Sequence, residues 1–188
     1  MTAIAQSVAA RPQMARIGLV VIWSLGLSLL LALSARVSVP FWPVPMTLQT
    51  LAVLTIAGLA GPRIATAAML AYLAEGAMGL PVFAGTPAHG LGLAYLAGPT
   101  GGYLVGMLAA AAVVGVLARR AAGRPLALVG AMTLGSVLVY AAGAAWLAAY
   151  VGAGRALALG VVPFLAGDAV KTALAVCTVL AAGRVRRA

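Results

Sequence analysis

IGLVVIWSLGLSLLLALSA, residues 17–35, runs for 19 residues without a charge and is closed at its ends by Arg16 and Arg36. A helix needs about 20 mostly apolar residues to cross the hydrocarbon of a bilayer, and this stretch supplies them. It ends in Ala32, Leu33 and Ser34, which resembles a signal-peptidase site. Its apolar core exceeds the roughly 7 to 15 residues of a signal peptide, so it reads as a retained membrane helix. Working outward, breaks at clusters of Pro, Gly and Arg define five more spans, at 46–61, 64–80, 100–118, 126–150 and 161–183. The second and third are short, and Gly61, Pro62 and Arg63 separate them.

Composition agrees with six spans. The 188 residues carry 12 Lys plus Arg and only 2 Asp plus Glu, with 64% hydrophobic residues, where a soluble domain of this length would hold roughly 45 charged side chains. A net charge of +10 with a mean hydropathy of +1.14 leaves too little polar surface for a nucleic-acid-binding module. One cysteine, Cys177, and one histidine, His89, exclude an internal disulfide and leave zinc without enough ligands. No metal, cofactor or covalent catalysis is expected. The expectation is an all-α integral membrane protein, a bundle of six transmembrane helices.

Lys and Arg are retained on the cytoplasmic side of a membrane, which orients the bundle. Arg11, Arg16, Arg63, Arg119, Arg120, Arg124, Arg184, Arg186 and Arg187 fall on one side, Arg36 and Arg155 on the other, and Lys171 within the last span. Nine against two puts the N and C termini in the cytoplasm. The chain then divides into a cytoplasmic segment 1–16, one membrane domain 17–183 and a basic tail 184–188. Cytoplasmic connections are minimal, whereas the external ones, 36–45, 81–99 and 151–160, are longer and rich in Pro, Gly and aromatic residues. Such loops suit either a lidded site or plain turns with interfacial aromatic anchors.

Ionisable groups in hydrocarbon cost at least a few kcal/mol and mark sites or ion pathways. Glu75, Asp168 and Lys171 are placed so, and they include both acidic residues of the chain. Counted from the outer helix ends at about 1.5 Å per residue, they lie roughly 8, 10 and 15 Å deep. Trp42, Gln49, Tyr72, Tyr95 and Tyr103 fall in the same outer half, which describes a capped polar pocket opening outward. Asp168 and Lys171, three apart on one helix, share a face. Two readings stay open: the pair neutralises itself, or it meets a small amphipathic acid that offers hydrogen-bond donors to the carboxylate and an anionic end to the ammonium. LAGPTGG, residues 96–102, lacks the Lys and Ser or Thr of a Walker loop. Ser24, Ser28 and Ala32 form a small-residue strip on the first helix, suited either to packing inside the bundle or to a partner subunit.

Four segments carry a family resemblance: VPFWPVPMTLQT (39–50), YLAEGAMGLPVFAG (72–85), LAYLAGPTGGYLVG (93–106) and PFLAGDAVK (163–171). They resemble the BioY family, the biotin-specific substrate-binding S components of energy-coupling factor transporters. The resemblance implies six membrane helices and an outward-facing biotin pocket roofed by the loops after helices 1 and 3. It implies docking through small residues of helix 1, here Ser28 and Ala32 with Ser24 one turn away, onto a transmembrane coupling subunit driven by two cytoplasmic ATPase subunits. It also implies residence in the bacterial cytoplasmic membrane. Biotin presents ureido N–H groups, a ureido carbonyl and a tail carboxylate. Asp168 is then expected to accept from the ureido N–H groups and Lys171 to bond the ureido carbonyl or the tail carboxylate. Gln49, Tyr72, Glu75 and Tyr103 are candidate polar contacts, and Trp42 and Tyr95 are expected to cover the bicyclic ring. An S component for another vitamin, such as riboflavin or thiamine, and a ligand-free scaffold subunit are the competing readings.

Overall fold

The computed structural model describes residues 13–185. Of the expected cytoplasmic segment 1–16 and tail 184–188, residues 1–12 and 186–188 lie outside the described residues. The fold is helical. Helix α1 spans Gln13–Arg36, α2 Gln49–Ala60, α3 Pro62–Ala77, α4 Gly92–Leu96, α5 Gly101–Ala121, α6 Pro125–Val151, α7 Ala153–Gly160 and α8 Leu165–Val185. A single 3-10 turn, Val162–Phe164, joins α7 to α8. Two short strands, β1 (Ser38–Val39) and β2 (Met46–Thr47), pair antiparallel in the loop after α1, with Ser38 opposite Thr47 and Val39 opposite Met46.

Among the described residues, four helical segments are long and apolar enough to cross a membrane: α1, α5, α6 and the run Ala153–Gly183 that contains α7 and most of α8. The expected second and third spans are shorter than anticipated. β2 takes Met46–Thr47, so α2 begins only at Gln49 and has 12 residues, about 18 Å of helix. Helix α3 has 16 residues, about 24 Å, and stops at Ala77 rather than at 80. The corner between them is where the sequence placed it: Gly61 has φ 80°, outside the range other residues adopt easily, and Pro62 opens α3.

The connection 151–160, expected as a loop, is the helix α7. Gly152, at φ 83°, ends α6 and lets the chain re-enter a helix at once. In α7, Ala156 and Gly160 face the bundle while Arg155 and Leu157 are exposed.

Helices α5 and α6 form the centre of the bundle, with glycines at their seam. A Cβ on Gly106 would sit 2.7 Å from the Val139 Cα, so the backbones approach as closely as a small residue allows. Around this pair α2, α3 and α8 close the core, with Val114, Met132, Leu147 and Ala57 fully buried. Helix α1 packs against α3 and α2 along one face. The other face, from Met14 and Ile17 through Ile22, Leu29 and Leu33, stays exposed, as a helix bathed in lipid must be.

Candidate ligand-binding site

Asp168 lies in the first turn of α8, where the unpaired N–H groups of the helix start favour a negative side chain. Pro163 in the preceding 3-10 turn sets where that start falls. One turn on, Lys171 Nζ bonds Asp168 Oδ1 at 2.6 Å, and both side chains are about nine-tenths buried. Thr50 of α2 donates to the same oxygen at 3.1 Å, and Tyr140 of α6 donates to Oδ2 at 2.6 Å. Three helices thus converge on one carboxylate.

The pair is closed, as the self-neutralising reading required, yet it is not on a filled wall. Asp168 and Lys171 line a narrow cavity of about 60 Å³. Its polar lining is Thr47, Gln49, Thr50, Thr100, Tyr140, Asp168 and Lys171. The rest is apolar or aromatic: Val44, Pro45 and Met46 of the loop after α1, Ala84 and Tyr95 of the loop after α3, Tyr103, Leu104 and Met107 of α5, Val139 of α6, and Phe164. The loops after α1 and α3 therefore both contribute walls, which favours the site over plain connecting turns.

Gln49 reaches the cavity from the first residue of α2. Its Oε1 accepts from Thr47 at 3.1 Å and its Nε2 donates to the Tyr72 hydroxyl at 2.8 Å. Tyr72 in turn donates to the Val82 carbonyl at 3.2 Å, so it stands behind Gln49 and does not line the cavity. Tyr95 and Tyr103 do line it, with their hydroxyls turned away onto the Ala84 and Gly160 carbonyls, both at 2.8 Å. Both hydroxyls are thus taken up by backbone carbonyls. Tyr95 stacks on Phe83 with ring centroids 4.7 Å apart, and burial pushes its phenol up from the ordinary tyrosine value.

Other candidates from the sequence, like Tyr72, stand outside the cavity lining. Trp42 is 78% exposed and outside the cavity lining; its neighbour Phe41, also exposed, packs edge-on to Phe164 at 5.7 Å. Glu75 faces α1, where Ser28 Oγ donates to its Oε1 at 2.7 Å, and it does not reach the cavity. The strip Ser24, Ser28 and Ala32 is buried within the chain and is no exposed docking surface in this structure. Ser28 sits on Glu75 and Ala32 joins the core, because these small residues are what lets α1 approach α3.

Tyr140 and Thr50 were missed by the sequence reading. Tyr140 lies ten residues from the outer end of its expected span, 126–150, as Lys171 does from 161, so the depth count that found Lys171 points to it too. Thr50 gave no comparable signal, being an ordinary helix-surface residue type.

The chain matches the BioY family over residues 8–188. It is 37% identical over 147 residues to a probable biotin transporter BioY of Pyrococcus horikoshii, covering 78% of this chain and 85% of that one. Over the same length it is 38% identical to the biotin transporter BioY of Thermotoga maritima, again covering 78% and 85%. Its fold is similar to a crystal structure of the S component for biotin from an ECF-type ABC transporter, with a TM-score of 0.77 and 25% identity over 95% of this chain and 96% of the other. In sequence across nearly its whole length and in fold, the chain belongs to the BioY family.

Proposed function

We propose that this chain is a membrane subunit that captures biotin from the external side for import, with Asp168 and Lys171 as its polar contacts. The observation that carries the reading is a buried carboxylate and ammonium exposed to one another and to a largely apolar cavity. An ion pair kept only for stability gains little over apolar residues of similar volume. A bicyclic ureido ring on an aliphatic tail matches the lining: ring N–H groups for Asp168, an acceptor for Lys171, and Tyr95, Tyr103, Leu104 and Phe164 around the apolar parts. The names of the relatives agree with that choice of ligand.

The finer topology belongs to the same proposal. Six helices cross the membrane, with α2 and α3 as a short bent pair whose ends are completed by protein rather than lipid, and both termini are cytoplasmic. The membrane is the bacterial cytoplasmic membrane, and the energy comes from a transmembrane coupling subunit with two ATPase subunits. No covalent step is involved.

Asp168→Asn tests the site. It keeps the shape and removes the charge that Lys171, Thr50 and Tyr140 converge on, so purified protein should lose biotin binding by at least about 100-fold. Wild-type protein should retain labelled biotin in the presence of excess riboflavin or thiamine. Undiminished binding by the variant, or displacement by another vitamin, would refute the assignment.

A further inference from the structure

A second, lateral groove runs between α6 and α8 on the membrane-facing side, lined by residues that include Ser136, Val137, Ala169 and Thr172. Two residues line both this groove and the ligand cavity: Tyr140 and Asp168. Their side chains, joined at 2.6 Å, are thus shared wall between the cavity and the groove.

The distribution of donors on Asp168 shows what Tyr140 adds. Oδ1 accepts from both Lys171, at 2.6 Å, and Thr50, at 3.1 Å. Among the described residues, Oδ2 accepts only from Tyr140. A carboxylate offers about four acceptor positions, so the open one is on Oδ2. The two oxygens turn together about the Cβ–Cγ bond, so the Tyr140 hydroxyl, reaching Oδ2 from the groove side, fixes the carboxylate plane together with the donors on Oδ1.

We propose that Tyr140 is a positioning residue for the ligand: it orients Asp168 Oδ2 so that its last acceptor site faces the cavity, and it closes the cavity against the lateral groove. This rests on the assignment of Asp168 as a ligand contact. The donor that Oδ2 receives is a ring N–H, so the effect of Tyr140 belongs to the ureido end of the ligand and is independent of the rest of the bicycle.

The test is Tyr140→Phe, read by calorimetric titration of purified protein with biotin and with desthiobiotin, which keeps the ureido ring and lacks the sulfur-containing one. Loss of a hydrogen bond to a charged group weakens binding by about 10- to 100-fold. The expected result is that loss, by the same factor for both ligands; because the bond is also made without ligand, the melting temperature of the free protein falls as well. Thr50→Val, which removes a donor from the oxygen that Lys171 already holds, should cost less, and it supplies an independent comparison if Tyr140→Phe does not fold. Unchanged affinity in Tyr140→Phe, a loss confined to biotin, or a larger loss in Thr50→Val than in Tyr140→Phe would each overturn the proposal. Asp168→Asn run alongside separates the two claims. If it abolishes binding while Tyr140→Phe does not weaken it, the positioning role fails and the site stands. If Asp168→Asn binds normally, the site assignment itself has failed.

Discussion

Asp168 and Lys171 were legible because chemistry singles them out: two of three ionisable groups that the spans carry into hydrocarbon, on one helix face, where each needs a partner. Their neighbours were legible only in part. Counting residues from a helix end gives height along the axis, and height alone grouped Glu75, Tyr72 and Trp42 with the pocket. Which way a side chain points depends on helix rotation, and helices apolar all round offer no polar stripe from which to read it. Glu75 is at the expected level but turned toward Ser28. It follows that Glu75→Gln should bind biotin with wild-type affinity, since it touches no part of the cavity, while Glu75→Ala should lower the melting temperature. An interhelical hydrogen bond in a membrane is worth about 0.6 kcal/mol on average, so the second effect is small. A large loss of biotin affinity in Glu75→Gln would return Glu75 to the site.

At the scale of elements, apolar run length located the long helices to within a few residues: α5 at Gly101–Ala121 against an expected 100–118, and α6 at Pro125–Val151 against 126–150. It failed where the chain changes structure without changing hydropathy. Met46–Thr47 reads as the start of a span but pairs with Ser38–Val39 as a strand, and AGRALALG reads as loop because of its glycines but is α7. Both elements build the outer rim of the site, since Met46 and Thr47 line the cavity and Gly160 at the end of α7 accepts the Tyr103 hydroxyl. The α5–α6 seam also shapes the cavity. A Cβ on Gly143 would overlap the Tyr103 ring, which its hydroxyl bond to Gly160 pins in place. Gly143→Ala should therefore push Tyr103 toward the cavity and weaken biotin binding by about tenfold, a typical cost of overpacking. Titration of the variant checks this, and unaltered affinity would mean that the Tyr103 ring is not part of the ligand surface.

For the whole molecule, the charge asymmetry that set the topology is a property of the loops and is independent of where each helix begins. Among the described residues, four segments are long and apolar enough to cross a membrane; the count of six depends on α2 and α3 acting as a bent pair. With Cys177 replaced by Ala, a cysteine at Gly154 in α7 should react with a membrane-impermeant maleimide on intact cells. One at Arg124, in the turn between α5 and α6, should react only after permeabilisation. Both positions are exposed in the structure. The opposite pattern would invert the bundle and place the cavity mouth on the wrong side for capture.

A density map of the protein bound to biotin tests the account where it is most exposed. The bicyclic ring should lie in the cavity against Asp168 and Lys171, with Tyr95 and Tyr103 along its faces. Density elsewhere, with the carboxylate and ammonium still facing only each other across an empty cavity, would show that the pair is held for the bundle and not for the vitamin.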